Sequence, residues 1–568
     1  MPRSLLCGLA FATTLSCACS GTVVDSGARG QAAGLAPGTT SLPTTLPPPG
    51  PASSPDGGSS ATCEESAPAV LPLRRLTRAE YSNTVRDLLG DDSDPGKGLP
   101  SDDAGEELFV SPATMTVTTD WAQSALETAE AIARRAVAKL PTLVPCASAG
   151  DEVCAQQFIG GFGRRAFRRP LLREERDRLL ALWKSGAGES FARGVELVVS
   201  AVLQAPSFLY RIEFGAAGVG GKVTLSPYEV ATRLSYGLWG TTPDLALLAA
   251  AEADQLNTGT QVAAHAQRML GDPRAQHNLT AFVGRWFGLA GLEEVMKDPA
   301  VYPAFNEKLI EAMKEEVDHV IDETLWKGDG RSDTLLTAPF TFVNRLTAPL
   351  YGVPAPQGEG FTKVTLDGNQ RAGLLTNAAI LTAHTFSDAS APIHRGKFVR
   401  ERLLCTIPPA PPADVNIVPP VPRPGLSTRD RLREHSDVPA CRACHTFMDA
   451  IGFGFGNYDG LGRYSTKDPQ GQPVDNRGEL LHTDNDGAFQ GVPALAARLT
   501  ASTMVSDCIA STFLRFVSGT ESEIDACARQ KLRAAFTSAN HDVRKLIVAI
   551  AATDAFRHRR ALPGEVSP

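Results

Sequence analysis

The chain has 568 residues, a formal net charge of −8 at pH 7 and 43% hydrophobic against 21% charged residues. Such a length supplies several domains of about 100–200 residues each, and the acidic balance argues against nucleic acid as a partner. Beyond the N-terminus no apolar run reaches membrane-spanning length; the nearest, "VELVVSAVLQA", reads as a buried helix.

The chain opens with Met1-Pro2-Arg3 and an apolar run from Leu5 to Leu15, a basic start and short hydrophobic stretch that read as a secretory signal over residues 1–19. Small residues precede Cys17 and Cys19, so either thiol is placed to carry the lipid of a bacterial lipoprotein; the alternative is a freely soluble exported protein. The expected location is the periplasm, or the outer membrane or cell surface through that anchor. Residues 20–65, rich in Pro, Gly, Ser and Thr, bury too little surface to offset ordering entropy and read as a disordered tether.

After the tether the grammar is helical. Thr77 and Glu80 form a capping box, Tyr81, Val85, Leu88 and Leu89 share one face, and Gly90 is placed to end the helix. Ser226, Pro227 and Glu229 repeat the pattern. Further amphipathic runs lie in "REERDRLLALW", "FNEKLIEAMKEEVDHVIDETLW" and "RKLIVAIAATDAF", whereas alternating strand patterns are scarce. The expected fold is mainly α, built of several small helical modules packed in series. They cover residues 66–145, an Arg-rich 146–220, a central 221–355, a cytochrome-like 356–483 and a C-terminal 484–560.

Cysteines outside the signal suggest disulfides, which export permits. Cys146 and Cys154 are close enough to close a small loop, and Cys508 and Cys527 flank a helix–turn–helix pattern that a bond would clip. Cys63 and Cys405 remain as a further candidate pair.

The most informative stretch is "PACRACHTFMDAIGFGFGNYDG", Pro439 to Gly460. Cys441, Cys444 and His445 form the C-x-x-C-H signature of covalent c-type haem, one haem in this chain. Two thiols add to the porphyrin vinyl groups while the adjacent histidine reaches the iron. Alternatives are a Cys441–Cys444 disulfide with a bystander histidine, or a zinc knuckle, for which no second C-x-x-C or matching histidine pair is present.

The chain resembles multi-domain proteins of planctomycetes and myxobacteria in which several domains of unknown function surround a cytochrome c-like haem motif. The resemblance runs from about Leu71 to Phe556 and is carried by "LRRLTRAEYSNTVRDLLG", "FGRRAFRRPLLREERDRLLALW", "APSFLYRIE", "LSPYEVATRLSYGLWGTTPDLALL", "TFVNRLTAPLYGV", "APIHRGKFVRERLLC" and "CRACHTFMDAIGFGFGNYDGLGRYS". It implies a cytochrome and supplies no substrate. One departure is Gly456, where the family usually has glutamate before its Asn-Phe-Asp; here Asn457-Tyr458-Asp459 follows.

The sixth iron ligand separates electron transfer from catalysis, because a saturated iron transfers electrons and an open one binds peroxide or oxygen. Met448 is too close to His445 to reach the opposite haem face: three residues span about 10 Å fully extended. It reads instead as a core side chain. Met504, His482, His435, His394 and His384 are far enough along the chain.

Glu316 and His319 form a Glu-x-x-His without a second copy, expected to be a solvated helix face rather than half of a di-iron site. Arg164, Arg165, Arg168 and Arg169 read as a salt-bridged surface, with a redox partner or lipid head groups as the alternative. Arg395 and Arg463 are either haem-propionate partners or exposed turn residues. "TIPPAPPADVNIVPPVPRPG" reads as a polyproline spacer, or as a cover over one haem edge.

Three functions follow. The first is a tethered monohaem protein passing electrons to a redox partner protein at the cell envelope. The second is a haem-dependent, peroxidase-like oxidoreductase, and the third a haem-free envelope protein with a C-x-x-C disulfide. No set of acid, base and nucleophile stands above background, which places electron transfer first.

Overall fold

The computed structural model describes residues 73–102, 117–218, 221–408, 423, 425–436, 439–519, 526–562 and 565. The signal, the tether, Cys63 and most of the proline-rich strap lie outside the described residues, as do the side chains of His435, Cys441 and Cys444.

The fold is mainly α, with only short antiparallel sheets among the described residues. Local signals act as the sequence suggests. Thr77 Oγ1 accepts from the Glu80 amide at 3.1 Å while Glu80 returns a carboxylate to the Thr77 amide at 2.9 Å, and helix Arg78–Leu89 stops at Gly90, whose φ of 64° favours glycine. Helix Pro227–Trp239 starts with the same box from Ser226 and Glu229.

Two hydrophobic cores organise the helices. The first runs from Tyr81 to Leu209 and packs Thr119–Val137, Glu152–Ala166, Arg173–Ala187 and Phe191–Gln204 around Trp121, Ile132, Phe162 and Val199. Strand Leu73–Arg75 closes it by pairing with Tyr210–Ile212, Leu73 opposite Ile212. The larger core runs from Leu225 to Phe556 and draws the central helices, the motif region and the C-terminal helices into one interior. Strand His558–Arg560 then pairs with Lys222–Thr224, so the chain's end returns to the start of this second part.

Between the cores lies a buried ionic chain. Arg233, fully buried, binds Glu213 through Nε at 3.1 Å and Nη2 at 2.5 Å, and donates to the Phe556 carbonyl at 2.8 Å. Arg211 lies 4.0 Å from Glu213 and 3.4 Å from Glu80. Burial alone pushes the Glu213 carboxyl up, but Arg233, Arg211 and Arg74 outweigh it and hold it below the ordinary range. The charges are compensated in place, so their cost appears only when one partner is lost.

The arginine cluster divides by depth. Arg164 pairs with Glu252 and Arg169 with Glu175, as expected of a surface. Arg168 instead is buried, donating to the carbonyls of Ser207, Phe208 and Tyr210 and to the Tyr236 hydroxyl, because these acceptors converge where the cores meet.

Cys146 and Cys154 are bonded. The other expected pairings are corrected: Cys405 bonds Cys508, not Cys63, and Cys508 does not bond Cys527, which is in a disulfide of its own. The reason lies in helix register. Cys508 sits near the start of Thr503–Ser518, ten residues or about 15 Å of rise before that helix ends, whereas Cys527 opens the next helix, Ala526–Ser538. Antiparallel neighbours at such different levels exceed the reach of a disulfide.

Candidate haem-attachment site

The motif occupies helix Pro439–Gly452, reached through helix Thr428–Ser436. Positions 441, 444, 445 and 448 fall on one stripe of an α-helix, since residues three and four apart are surface neighbours. Met448 on that stripe is buried, as the sequence suggests for a core side chain, and Ile451 is fully buried.

Two glycines fix the helix against the body. Cβ atoms at Gly396, on helix Pro392–Phe398, and at Gly452 would strike the Met448 and Pro392 carbonyls respectively. The two helices therefore meet backbone to backbone, which no larger residue permits.

His445 is partly buried, its side chain 16% exposed, and its Nδ1 lies 3.0 Å from Asp449 Oδ1, one helical turn on. Asp449 is 5% exposed, and its other oxygen accepts from the Ser436 hydroxyl at the end of the preceding helix. With Nδ1 engaged by a carboxylate, Nε2 is the nitrogen through which this ring would ligate a metal. The residues present fit a c-type haem: two cysteine positions and an oriented histidine on one helical stripe. Among the described residues no three His, Cys, Asp or Glu side chains are grouped to hold a metal ion by themselves.

The candidate sixth ligands are scattered. His384 stacks on Phe398 at 4.4 Å with Nε2 3.2 Å from the Phe287 carbonyl, and burial pushes it down to about 4, so it is a neutral core residue. His394 is exposed with its ring 4.7 Å from Phe386. Met504 packs against the large core. His482 touches the motif helix, its exposed ring edge-on to Phe447 at 4.7 Å. Phe447 is two residues from His445, however, and so projects from a different helical face.

Arg395 is neither a propionate partner nor an exposed turn residue. It is 1% exposed and donates to the carbonyls of Tyr458 at 2.8 Å, Asp459 at 2.7 Å and Leu381 at 3.2 Å, and burial pushes it down to about 10. It clamps the loop that follows the motif helix. Arg463 binds Asp459 at 2.7 Å, and the Asp459 carboxylate also accepts from the amides of Leu461 and Arg463. At Gly456 a Cβ would lie 3.1 Å from Val474 Cγ1 and 3.2 Å from the Phe453 carbonyl, so a side chain there would need its neighbours to give by a few tenths of an ångström.

One buried cluster went unread in the sequence. Glu316, expected on a solvated face, is fully buried on helix Glu307–Ile321. Its Oε1 accepts from Thr341 Oγ1 at 2.5 Å, Asn377 Nδ2 at 2.9 Å and the Tyr351 hydroxyl, while Oε2 has no partner among the described residues. Burial pushes the carboxyl up to about 7 against the pull of these donors and of Arg371. Burial and the neighbouring Glu316 also raise the Tyr351 hydroxyl, which stays a donor. Thr341, Tyr351, Arg371 and Asn377 line a cavity at the lower limit of what holds one water molecule, too small for an organic substrate.

The described chain is thus a mainly helical, multi-module protein with a C-x-x-C-H sequence on helix Pro439–Gly452. Five family models, each described as "Protein of unknown function", match it in series. They are DUF1587 over residues 74–138, DUF1595 over 154–213, DUF1592 over 225–353, DUF1588 over 371–468 and DUF1585 over 485–556. The model that covers the motif helix is named PSCyt3, which hints at a cytochrome-like module. No curated protein and no solved structure matches the chain.

Proposed function

We propose that this chain is an exported monohaem c-type cytochrome that passes electrons to a redox partner protein at the cell envelope, held there by an N-terminal lipid anchor. The observation that carries the reading is the His445–Asp449 pair at 3.0 Å on the same helix as Cys441 and Cys444. Cys441 and Cys444 would hold the haem, and His445 would ligate its iron through Nε2. A haem held there supplies a one-electron centre.

The chain's own contribution is rigidity. Gly396 and Gly452 lock the motif helix against its neighbour, and Arg395 fixes the loop beyond it, so the ligand is held in one geometry. The disulfides are compatible with an oxidising compartment, and among the described residues no helix is long and apolar enough to cross a membrane.

The test is a visible spectrum of protein exported from a host with c-type haem maturation, after dithionite and again after carbon monoxide. Sharp reduced bands unchanged by carbon monoxide are expected. A shift with carbon monoxide would reveal an open iron and replace electron transfer by peroxidase-like chemistry. Absence of haem bands would leave an envelope protein without haem.

A further inference from the structure

We infer that Asp449, with Ser436 behind it, is the positioning residue that sets the reduction potential of an iron ligated by His445. This rests on the haem reading above and adds a control element to it. A ligating imidazole whose second nitrogen donates to a carboxylate is more basic than one donating to a neutral carbonyl, because the carboxylate draws the Nδ1 proton toward itself. Greater electron donation favours the ferric over the ferrous state and lowers the potential.

The geometry suits that role. Asp449 lies one helical turn from His445, with Oδ1 3.0 Å from Nδ1, and is 5% exposed, so solvent screens its charge little. Ser436 comes from a separate helix and donates to the other carboxylate oxygen. That hydrogen bond fixes the orientation of the carboxylate and also withdraws charge from it. Asp449 and Ser436 therefore act in opposite senses on the same ring.

Two substitutions separate this from a purely structural role. Asp449→Asn removes the charge, and the equilibrium for reduction is expected to shift toward the ferrous state at least about tenfold, about 59 mV for a one-electron couple. Asp449→Glu, which keeps a carboxylate, is expected to return most of that shift. Ser436→Ala leaves a less tempered carboxylate, and the potential is expected to fall.

The experiment uses the full chain exported from a host with c-type haem maturation, with haem per chain measured by pyridine haemochrome and midpoint potential by spectroelectrochemical titration. A wild-type chain without haem overturns the haem reading, and this inference with it. Haem present and an unchanged potential in Asp449→Asn overturns this inference alone. Where Asp449→Asn does not accumulate as folded holoprotein, Ser436→Ala decides: a fall supports the assignment, and no change or a rise overturns it.

Discussion

Cys405 and Cys508 are joined across a sequence separation of 103 residues, tying the segment that leads toward the motif helix to the helix Thr503–Ser518. A bond closing so long a loop removes much freedom from the unfolded chain, about 4–5 kcal/mol in the chain-entropy account. Cys405→Ser with Cys508→Ser should therefore lower the free energy of unfolding by that order, read by urea titration under non-reducing conditions. Opening the short Cys146–Cys154 loop, with a separation of 8 residues, should cost less.

The contact between helix Pro392–Phe398 and helix Pro439–Gly452 depends on two glycines. In Gly396→Ala the new methyl meets the Met448 carbonyl, which is backbone and cannot swing away. Overpacking of this kind costs about 1–3 kcal/mol. The variant is expected to melt at a lower temperature than wild type. Gly160→Ala, on helix Glu152–Ala166 where a Cβ meets nothing within 4 Å and φ is not left-handed, separates this packing cost from the intrinsic effect of replacing a helical glycine.

The motif was legible because its chemistry is written in neighbouring residues, Cys441, Cys444 and His445, and needs no tertiary knowledge. Asp449 was half legible: an acid four residues after a histidine on a helix can reach it, but the Ser436 contact depends on how two helices meet. Glu316 could have been read as buried, since Leu309, Met313, Glu316, Val317 and Val320 share one apolar stripe. Arg395 could not, because its acceptors at Tyr458 and Asp459 arrive from more than 60 positions away. The same limit explains Cys405 and Cys508, whose pairing is set by how the C-terminal helices fold back.

Arg233 and Glu213 allow the seam between the cores to be tested directly. Glu213→Gln leaves the fully buried Arg233 without its counter-charge, and breaking a buried pair from one side typically costs about 3–5 kcal/mol. Arg233→Met leaves Glu213 buried with only the more distant charges of Arg211 and Arg74 and should cost a similar amount. The double substitution should be less destabilising than the sum of the two. Denaturation of the three variants and wild type forms the cycle, and additivity would mean that the pair does not couple.

Glu316 predicts the pH dependence of stability. Its carboxyl is raised from an ordinary 4.5 to about 7 in the folded protein, so between these values the folded state binds more protons than the unfolded state. Its contribution is fully present below the unfolded value and is lost as pH rises through about 7, an effect of about 3 kcal/mol at most. The proton belongs on Oε2, since Oε1 already accepts from Thr341, Asn377 and Tyr351. Glu316→Gln keeps an acceptor for those donors and cannot ionise. Urea titrations at pH 5 and pH 8 should show wild type losing stability toward the higher pH relative to Glu316→Gln. Equal losses in both proteins would place the titrating group elsewhere.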